Sequence, residues 1–356
     1  MPAEVLLQAQ QSLAEVPEVG LSVLGISHRS AWFRAVLDEA EARVRRLLRL
    51  SDDWHVLFLQ GGSTLQFAAI PLLLTRPERP GCYLHTGYWS GKAIAEAKLI
   101  NAPHAVLWSG ATERFAHLPG AADYSVPPNA AYLHWINNET VEGLRFRGPP
   151  AVPPGVARIV DASSDFLCDE TDYAPLDLVY AHAQKNLGPA GVTVVLVRDR
   201  LLRDLPDGQP SMIDWRAHVK DRSIHNTPPV FAIYITLLVL RWLEDRIGGL
   251  AAIAGINAAK AAQLYAALDA CPGFYRPHAT GADRSEMNVA FRLATPALEQ
   301  RFIAEAAQAG LAGLDGHRSL GGLRASLYNA VTPEAVADLA AFVGEFHAAH
   351  RHEVPA

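Results

Sequence analysis

Cysteine is scarce in this chain: three in 356 residues, at positions 82, 168 and 271. They are odd in number and far apart, so they fit neither a disulfide framework nor a zinc spacing, and no metal is expected. A reducing cytoplasm is the natural compartment for such a chain. No apolar run is long enough to span a bilayer, and the stretch from Met1 to Leu13 lacks the apolar core of a signal peptide. Positive charge is not in excess either, the formal net charge being −6. The one arginine-rich stretch (Arg43, Arg45, Arg46, Arg49) is interleaved with Glu39 and Glu41 and reads as a solvated helix face. These absences argue against nucleic acid and membrane as partners. Repeats and low-complexity segments are missing too. What remains is ordinary globular composition, 50% hydrophobic and 19% charged, in a chain long enough for one large core or two unequal domains.

Apolar periodicity predicts an α/β fold with a mainly parallel sheet flanked by helices. Pro2–Val16 reads as a helix with Leu6, Leu7 and Leu13 on its apolar face. Ser22–Arg29 is expected to be extended, and Ser30 to cap a helix running to Leu48. Strands are expected near Trp54–Leu59, Gly81–Tyr88, Ala130–Trp135, Val156–Val160, Leu178–Ala181 and Val192–Val197. A long amphipathic helix, Phe231–Arg246, leads to a Gly248-Gly249 break. The boundary is placed there. An N-terminal helix (1–14) joins a large domain (15–247), and 248–356 forms a small α+β domain closed by a helix from Pro333 to His350.

In an open parallel sheet, ligands gather at the carboxyl ends of the strands. Polar or glycine-rich residues follow several of the expected strands. Gln60-Gly61-Gly62-Ser63-Thr64 joins a strand to a helix. Such a turn points free backbone N–H groups at an anion, yet a plain connection fits it equally well. Trp89 stands where a strand meets a helix and could be core or could stack on a flat ligand. Asn137 to Gly143 is a polar bunch directly after a strand.

Lys185 follows the apolar run Leu178–Ala181. Taken alone it reads as a surface lysine at a strand end. Asp161, ending the run from Val156, changes the balance. A carboxylate and a lysine on neighbouring strand ends can address the two poles of one ring. The aspartate holds the proton on a pyridine nitrogen, and the lysine, made nucleophilic by burial, holds the aldehyde carbon. That is the protein's share of pyridoxal phosphate (PLP) chemistry.

Several runs resemble the phosphoserine aminotransferase family, PLP enzymes with the aspartate-aminotransferase (type I) fold. They are Ile26–Ser30, Phe58–Gly62, the A-Q-K-N-x-G-P-A-G-V-T run around Lys185, Asn226-Thr227-Pro228-Pro229, and Gly316-His317-Arg318 with Gly321–Asn329. The likeness spans about Pro2 to His350. It implies that Lys185 carries the cofactor and moves the Cα proton, and that Asp161 pairs with the pyridine nitrogen. Trp89 would stack on the ring and Thr140 would bond its hydroxyl. Ser63, Thr64 and Gln184 would hold the cofactor phosphate, joined by Asn226 and Thr227 from the other subunit of a homodimer. His28, Arg29, His317 and Arg318 would bind the phosphate of phosphoserine, and Arg324 its α-carboxylate. There are departures from the pattern. No F-x-x-G-P-A-like segment precedes Met1-Pro2, some members carry arginine where Thr64 stands, and glycine is common where His182 stands.

The resemblance implies transfer of an amino group between glutamate and 3-phosphohydroxypyruvate, giving phosphoserine and 2-oxoglutarate. It leaves open a phosphorylated hydroxythreonine of pyridoxine biosynthesis as a further substrate. The rivals are another type I PLP aminotransferase or lyase, and a non-catalytic phosphate-binding derivative of the fold. The basic residues 28, 29, 317 and 318 weigh against the first, because a substrate without a second anion leaves those cations unpaired. Lys185 with Asp161 weighs against the second.

Overall fold

The computed structural model describes residues 1–353. The last three residues of the expected small domain lie outside the described residues. Helix α1 (Ala3–Ala14) comes first, then α2 (Ala31–Leu48). The Ser30 hydroxyl caps α2 by accepting from the N–H of Phe33 at 3.1 Å. Strand β1 (Trp54–Leu59), α3 (Gly62–Leu74), β2 (Gly81–His85), α4 (Tyr88–Leu99), β3 (His104–Ser109) and β4 (Tyr132–Ile136) follow. A small hairpin, β5 (Asn138–Glu139) with β6 (Leu144–Arg145), precedes β7 (Ala157–Asp161), β8 (Leu178–His182) and β9 (Thr193–Arg198). Helices α5 (Asp199–Arg203), α6 (Trp215–Lys220), α7 (Val230–Arg241) and α8 (Leu250–Asp269) come next. The chain closes with β10 (Tyr275–Pro277), β11 (Asn288–Leu293), α9 (Pro296–Gln308), β12 (Leu323–Ser326) and α10 (Pro333–His350).

The large sheet has seven strands in the order β1-β9-β8-β7-β4-β2-β3. Strands β8, β7, β4, β2 and β3 pair in parallel, while β9 runs antiparallel to both β8 and β1. With β9 alone reversed, the other six strands all end at one edge. The central strands are buried on both faces, which is why they read as continuous apolar runs. On one face Phe33, Leu37 and Val44 of α2 and Ile233 and Leu237 of α7 pack against Val160, Val179 and Val194. On the other, Phe67 and Ile70 of α3 and Ile94 of α4 pack against Ile159, Leu178 and Val195. The three-stranded sheet β10-β11-β12 forms a separate core with α8, α9 and α10.

The structure corrects several expectations. Leu6, Leu7 and Leu13 of α1 are 53%, 67% and 44% exposed; Val5 is buried instead, against Ile235, Leu238 and Val239 of α7. Residues 23–25 form a short 3₁₀ turn inside the stretch expected to be extended. The arginines of α2 are not simply solvated: Arg43 reaches Glu244 at 2.6 Å and Arg46 reaches it at 2.9 Å, fastening α2 to the turn after α7. Strand β3 was not expected, being a half-exposed edge strand with a weak apolar signal. Among the described residues no helix is long and apolar enough to cross a membrane.

Candidate active site

At the shared carboxyl edge lies a cavity of about 430 Å³, lined by the ends of β4, β7 and β8, by the Gly61–Thr64 turn into α3 and by the start of α4. Lys185 and Asp161 stand on its floor. Asp161 ends β7 and pairs in register with Tyr180 of β8; Lys185 follows in the loop that turns β8 back into β9. Lys185 is part-buried, and burial is the main force lowering its pKa, opposed by the charges of Asp161 and Glu139. A lysine so placed gives up its proton more readily than a solvated one. Asp161 is buried and accepts from the N–H of Ser163 at 2.7 Å. Burial raises its pKa and Lys185 pulls it back, so a cation lodged against it would favour the ionised form.

Trp89, in the first turn of α4, forms a wall. Its indole N–H donates to Thr140 Oγ1 at 2.9 Å, and the Lys185 amine lies 5.4 Å from its ring centroid. Two buried carboxyls set this wall in place. Glu139 accepts from the N–H groups of Trp89 and Ser90, both at 3.0 Å, and Glu142 accepts from Tyr88 N–H at 2.9 Å. They satisfy donors at the α4 N-terminus that have no partner within the helix. A Cβ on Gly87 would come within 2.5 Å of Glu142 Oε2, so only glycine fits between them. Burial raises the pKa of both carboxyls; Glu142 is pushed up to about 9, with the charge of Glu139 adding to burial.

The opposite end is suited to an anion. Gly61 and Gly62 hold φ values of +92° and +68°, and the chain then enters α3 with its first N–H groups free. Ser63 Oγ lies 2.7 Å from Ser163 Oγ, while Thr64 and Gln184 are exposed at the rim.

Basic residues of β12 and of the loop before it approach the elements that line the cavity. Arg324, on β12, reaches the Thr140 carbonyl at 3.4 Å. His317 packs on the Tyr88 ring at 4.5 Å between centroids; burial and the charges of Arg324 and Arg318 lower its pKa. Among the described residues neither Arg318 nor Arg324 pairs with a carboxylate. His28, Arg29, Asn226 and Thr227 do not line the cavity of a single chain. Of these, the Thr227 carbonyl accepts from Gln60 Nε2 at 2.7 Å, next to the Gly61-Gly62 turn, and Ile26, two residues before His28, packs with Val230. A larger cavity of about 570 Å³ opens beside Trp135, Phe146 and Tyr173. It has no lysine, and its buried Arg145 is already paired with Asp165, Asp169 and Glu286.

The class-V aminotransferase family model matches residues 1–339. The phosphoserine aminotransferase of Geobacillus kaustophilus is 46% identical over 346 residues, covering 97% of this chain and 95% of that one. The chain is a member of the phosphoserine aminotransferase family of class-V aminotransferases. The corresponding enzyme of Rhodopirellula baltica is 45% identical, covering 97% of this chain and 92% of that one. The solved phosphoserine aminotransferase of Bacillus circulans subsp. alkalophilus superposes with a TM-score of 0.95 at 43% identity, covering 98% and 96% of the two chains. The PLP-bound enzyme of Trichomonas vaginalis superposes at 0.90 with 34% identity, covering 96% of each.

The cofactor of this aminotransferase is PLP. The cavity fits it on chemical grounds: an anion-binding turn at one end, an amine and a buried carboxyl on the floor, and a flat aromatic wall. Sequence reasoning missed Glu139 and Glu142 as individuals, although it singled out the polar bunch that contains them. It also left Ser163 and His182 without roles. Nothing local marks Ser163; its contact with Ser63 joins residues 100 apart in the chain.

Proposed function

We propose that this aminotransferase moves an amino group between glutamate and 3-phosphohydroxypyruvate, giving phosphoserine and 2-oxoglutarate. The observation that carries the reading is the pairing of the Lys185–Asp161 floor with basic residues of β12 and its preceding loop that have no carboxylate partner. When bound, PLP supplies the aldehyde carbon that takes the amino group and the ring that withdraws electrons. Lys185 Nζ anchors the cofactor and then, as a free amine, takes the substrate Cα proton and returns it elsewhere. Asp161 holds the proton on the pyridine nitrogen, Trp89 covers one face of the ring, and Thr140 Oγ1 donates to the ring hydroxyl while accepting from Trp89. Ser63, Thr64, Gln184 and the first N–H groups of α3 hold the cofactor phosphate. Arg324 binds the substrate α-carboxylate, and Arg318 and His317 bind its distant phosphate.

The active form in this reading is a homodimer. Leu6, Leu7, Leu13, Leu21 and Leu24 are all more than 40% exposed along the first 24 residues, apolar side chains that a partner subunit would cover. Asn226 and Thr227, like His28 and Arg29, lie outside the cavity lining of one chain, so a two-fold partner would bring both pairs to it. The first pair then completes the partner's cofactor-phosphate site and the second its substrate-phosphate site. Such an enzyme would work in the cytoplasm. A phosphorylated hydroxythreonine carries the same two anions and is a second substrate to assay.

The test is a half-reaction. Stoichiometric phosphoserine added to the yellow holoenzyme should convert the cofactor spectrum to that of the aminated form, and 3-phosphohydroxypyruvate should reverse it. Conversion by glutamate but not by phosphoserine would leave only a general aminotransferase.

A further inference from the structure

His182 ends β8 directly opposite Thr193 of β9. Its Nδ1 lies 3.0 Å from Thr193 Oγ1, whereas Nε2 makes no hydrogen bond among the described residues. The ring lines the cavity, and its Cδ2, Cε1 and Nε2 each lie 3.8 Å from the point a Cβ on Gly62 would occupy. The free ring edge therefore faces the first residue of α3. The backbone N–H of His182 donates to Ser163 Oγ at 3.1 Å, and Ser163 in turn touches Ser63. Histidine, serine and helix start thus converge on one small volume.

The charges around the ring are few. The α3 start contributes Gly62 and Ser63, β9 contributes Thr193, the residue before it contributes the Val192 carbonyl, and the loop after β7 contributes Ser163, with Asp161 behind it. Lys185 is the one charged side chain that acts on the ring. A phosphate monoester near neutral pH carries close to two negative charges. The Lys185 amine is committed to the other end of the cofactor, so the phosphate has no full cation from this chain unless His182 supplies one.

We propose that His182 is a ligand of the cofactor phosphate, donating from Nε2 to a phosphate oxygen while Thr193 fixes Nδ1. This rests on the reading that the Gly61–Thr64 turn holds that phosphate. A pH dependence follows. Without the phosphate, burial and then Lys185 lower the His182 pKa, with only the Val192 carbonyl opposing. A bound dianion raises it. Binding therefore takes up a proton, and affinity falls as pH rises between the two values.

The test compares wild type, His182→Gly and His182→Gln as holoenzymes from pH 5.5 to 8.5. Two quantities are read: the cofactor dissociation constant, from equilibrium release followed by absorbance, and the ³¹P resonance of the bound cofactor. His182→Gly should weaken cofactor binding by roughly ten- to a hundredfold at the acid end, with a smaller deficit at the alkaline end, and should shift the ³¹P resonance. His182→Gln should restore part of the affinity but none of the pH dependence. Unchanged affinity and ³¹P shift in His182→Gly would overturn the inference, as would an equal loss at every pH in both variants, which marks packing alone. Ser63→Ala separates the two readings. If it moves the ³¹P resonance and His182→Gly does not, the turn holds the phosphate without His182. If it does not move it, the cradle itself is misplaced.

Discussion

The amine of Lys185 stands 5.4 Å from the centroid of the Trp89 ring, across the cavity at the carboxyl edge of the large sheet. The indole is itself held by Thr140 through a 2.9 Å hydrogen bond and by Glu139 through its backbone N–H. Amine and aromatic wall are thus positioned from opposite sides by separate elements.

The first prediction follows from that placement. Borohydride reduction of the yellow protein should fix the cofactor to Lys185, and mass mapping should find it on no other lysine. Lys185→Ala should lower kcat by at least about a thousandfold, since it removes both the anchor and a base that contributes roughly 10²–10⁴-fold. Asp161→Ala should keep part of the cofactor but lose transamination. Labelling at another lysine would remove the mechanism.

Arg318 and Arg324 should separate kinetically. A charge-assisted hydrogen bond contributes roughly 1.5–3 kcal/mol. Arg318→Ala should therefore lower kcat/KM for phosphoserine by about ten- to more than a hundredfold, with a smaller loss for glutamate, whose γ-carboxylate cannot use every phosphate donor. Arg324→Ala should damage both half-reactions, because both substrates present an α-carboxylate. Single-turnover kinetics with both donors checks this; equal losses in Arg318→Ala would reassign the phosphate pocket.

The proposed sharing of sites between two subunits predicts complementation. Mixing Lys185→Ala chains with Asn226→Ala/Thr227→Ala chains should yield hybrid dimers with one intact site and one doubly damaged site. Activity above both parents, approaching half of wild type per hybrid, is expected. Hybrids no better than either parent would place Asn226 and Thr227 outside the partner's site.

Glu142 gives a stability signature. Its pKa is raised from 4.5 to about 9 in the folded chain, by burial first and then by Glu139, and its Oε2 is buried with no hydrogen-bond partner. A group raised on folding contributes stability that is present below its unfolded pKa and lost as pH rises toward the folded one. The loss here falls between pH 4.5 and about 9. Glu142→Gln mimics the neutral acid and should escape it, becoming more stable than wild type by roughly 1–3 kcal/mol at pH 9. Thermal melts from pH 6 to 9 measure this, and parallel curves for the two proteins would show that Glu142 is not held neutral.

Much of the fold was legible because the central strands are buried on both faces and announce themselves as apolar runs, as in Leu178–Ala181 and Val192–Val197. Strand β3 was not, since an edge strand needs little apolar surface. The turn at Gly61-Gly62 and the Lys185–Asp161 pair were legible because a strand end is a local feature with a local composition. Their meeting required only that β7 and β8 be neighbours.

The sequence by itself singled out the candidates for the chemistry: a lysine, an aspartate and a glycine-rich turn by residue type at a strand end, and the basic pairs by resemblance to the family. Tertiary structure alone decided which of them meet in one chain. It brought Arg324 to the Thr140 carbonyl and His317 onto the Tyr88 ring, beside the cavity, and left His28, Arg29, Asn226 and Thr227 out of the cavity lining. It also turned Leu6, Leu7 and Leu13 outward, reversing the face expected of α1. The reason is physical. Periodicity reports that a helix has an apolar side, but the surface that covers it comes from residues far away in the chain, as α7 does for Val5. The roles of Glu139, Glu142 and His182 depend in the same way on partners 11 to more than 50 positions distant, a separation that no local pattern encodes.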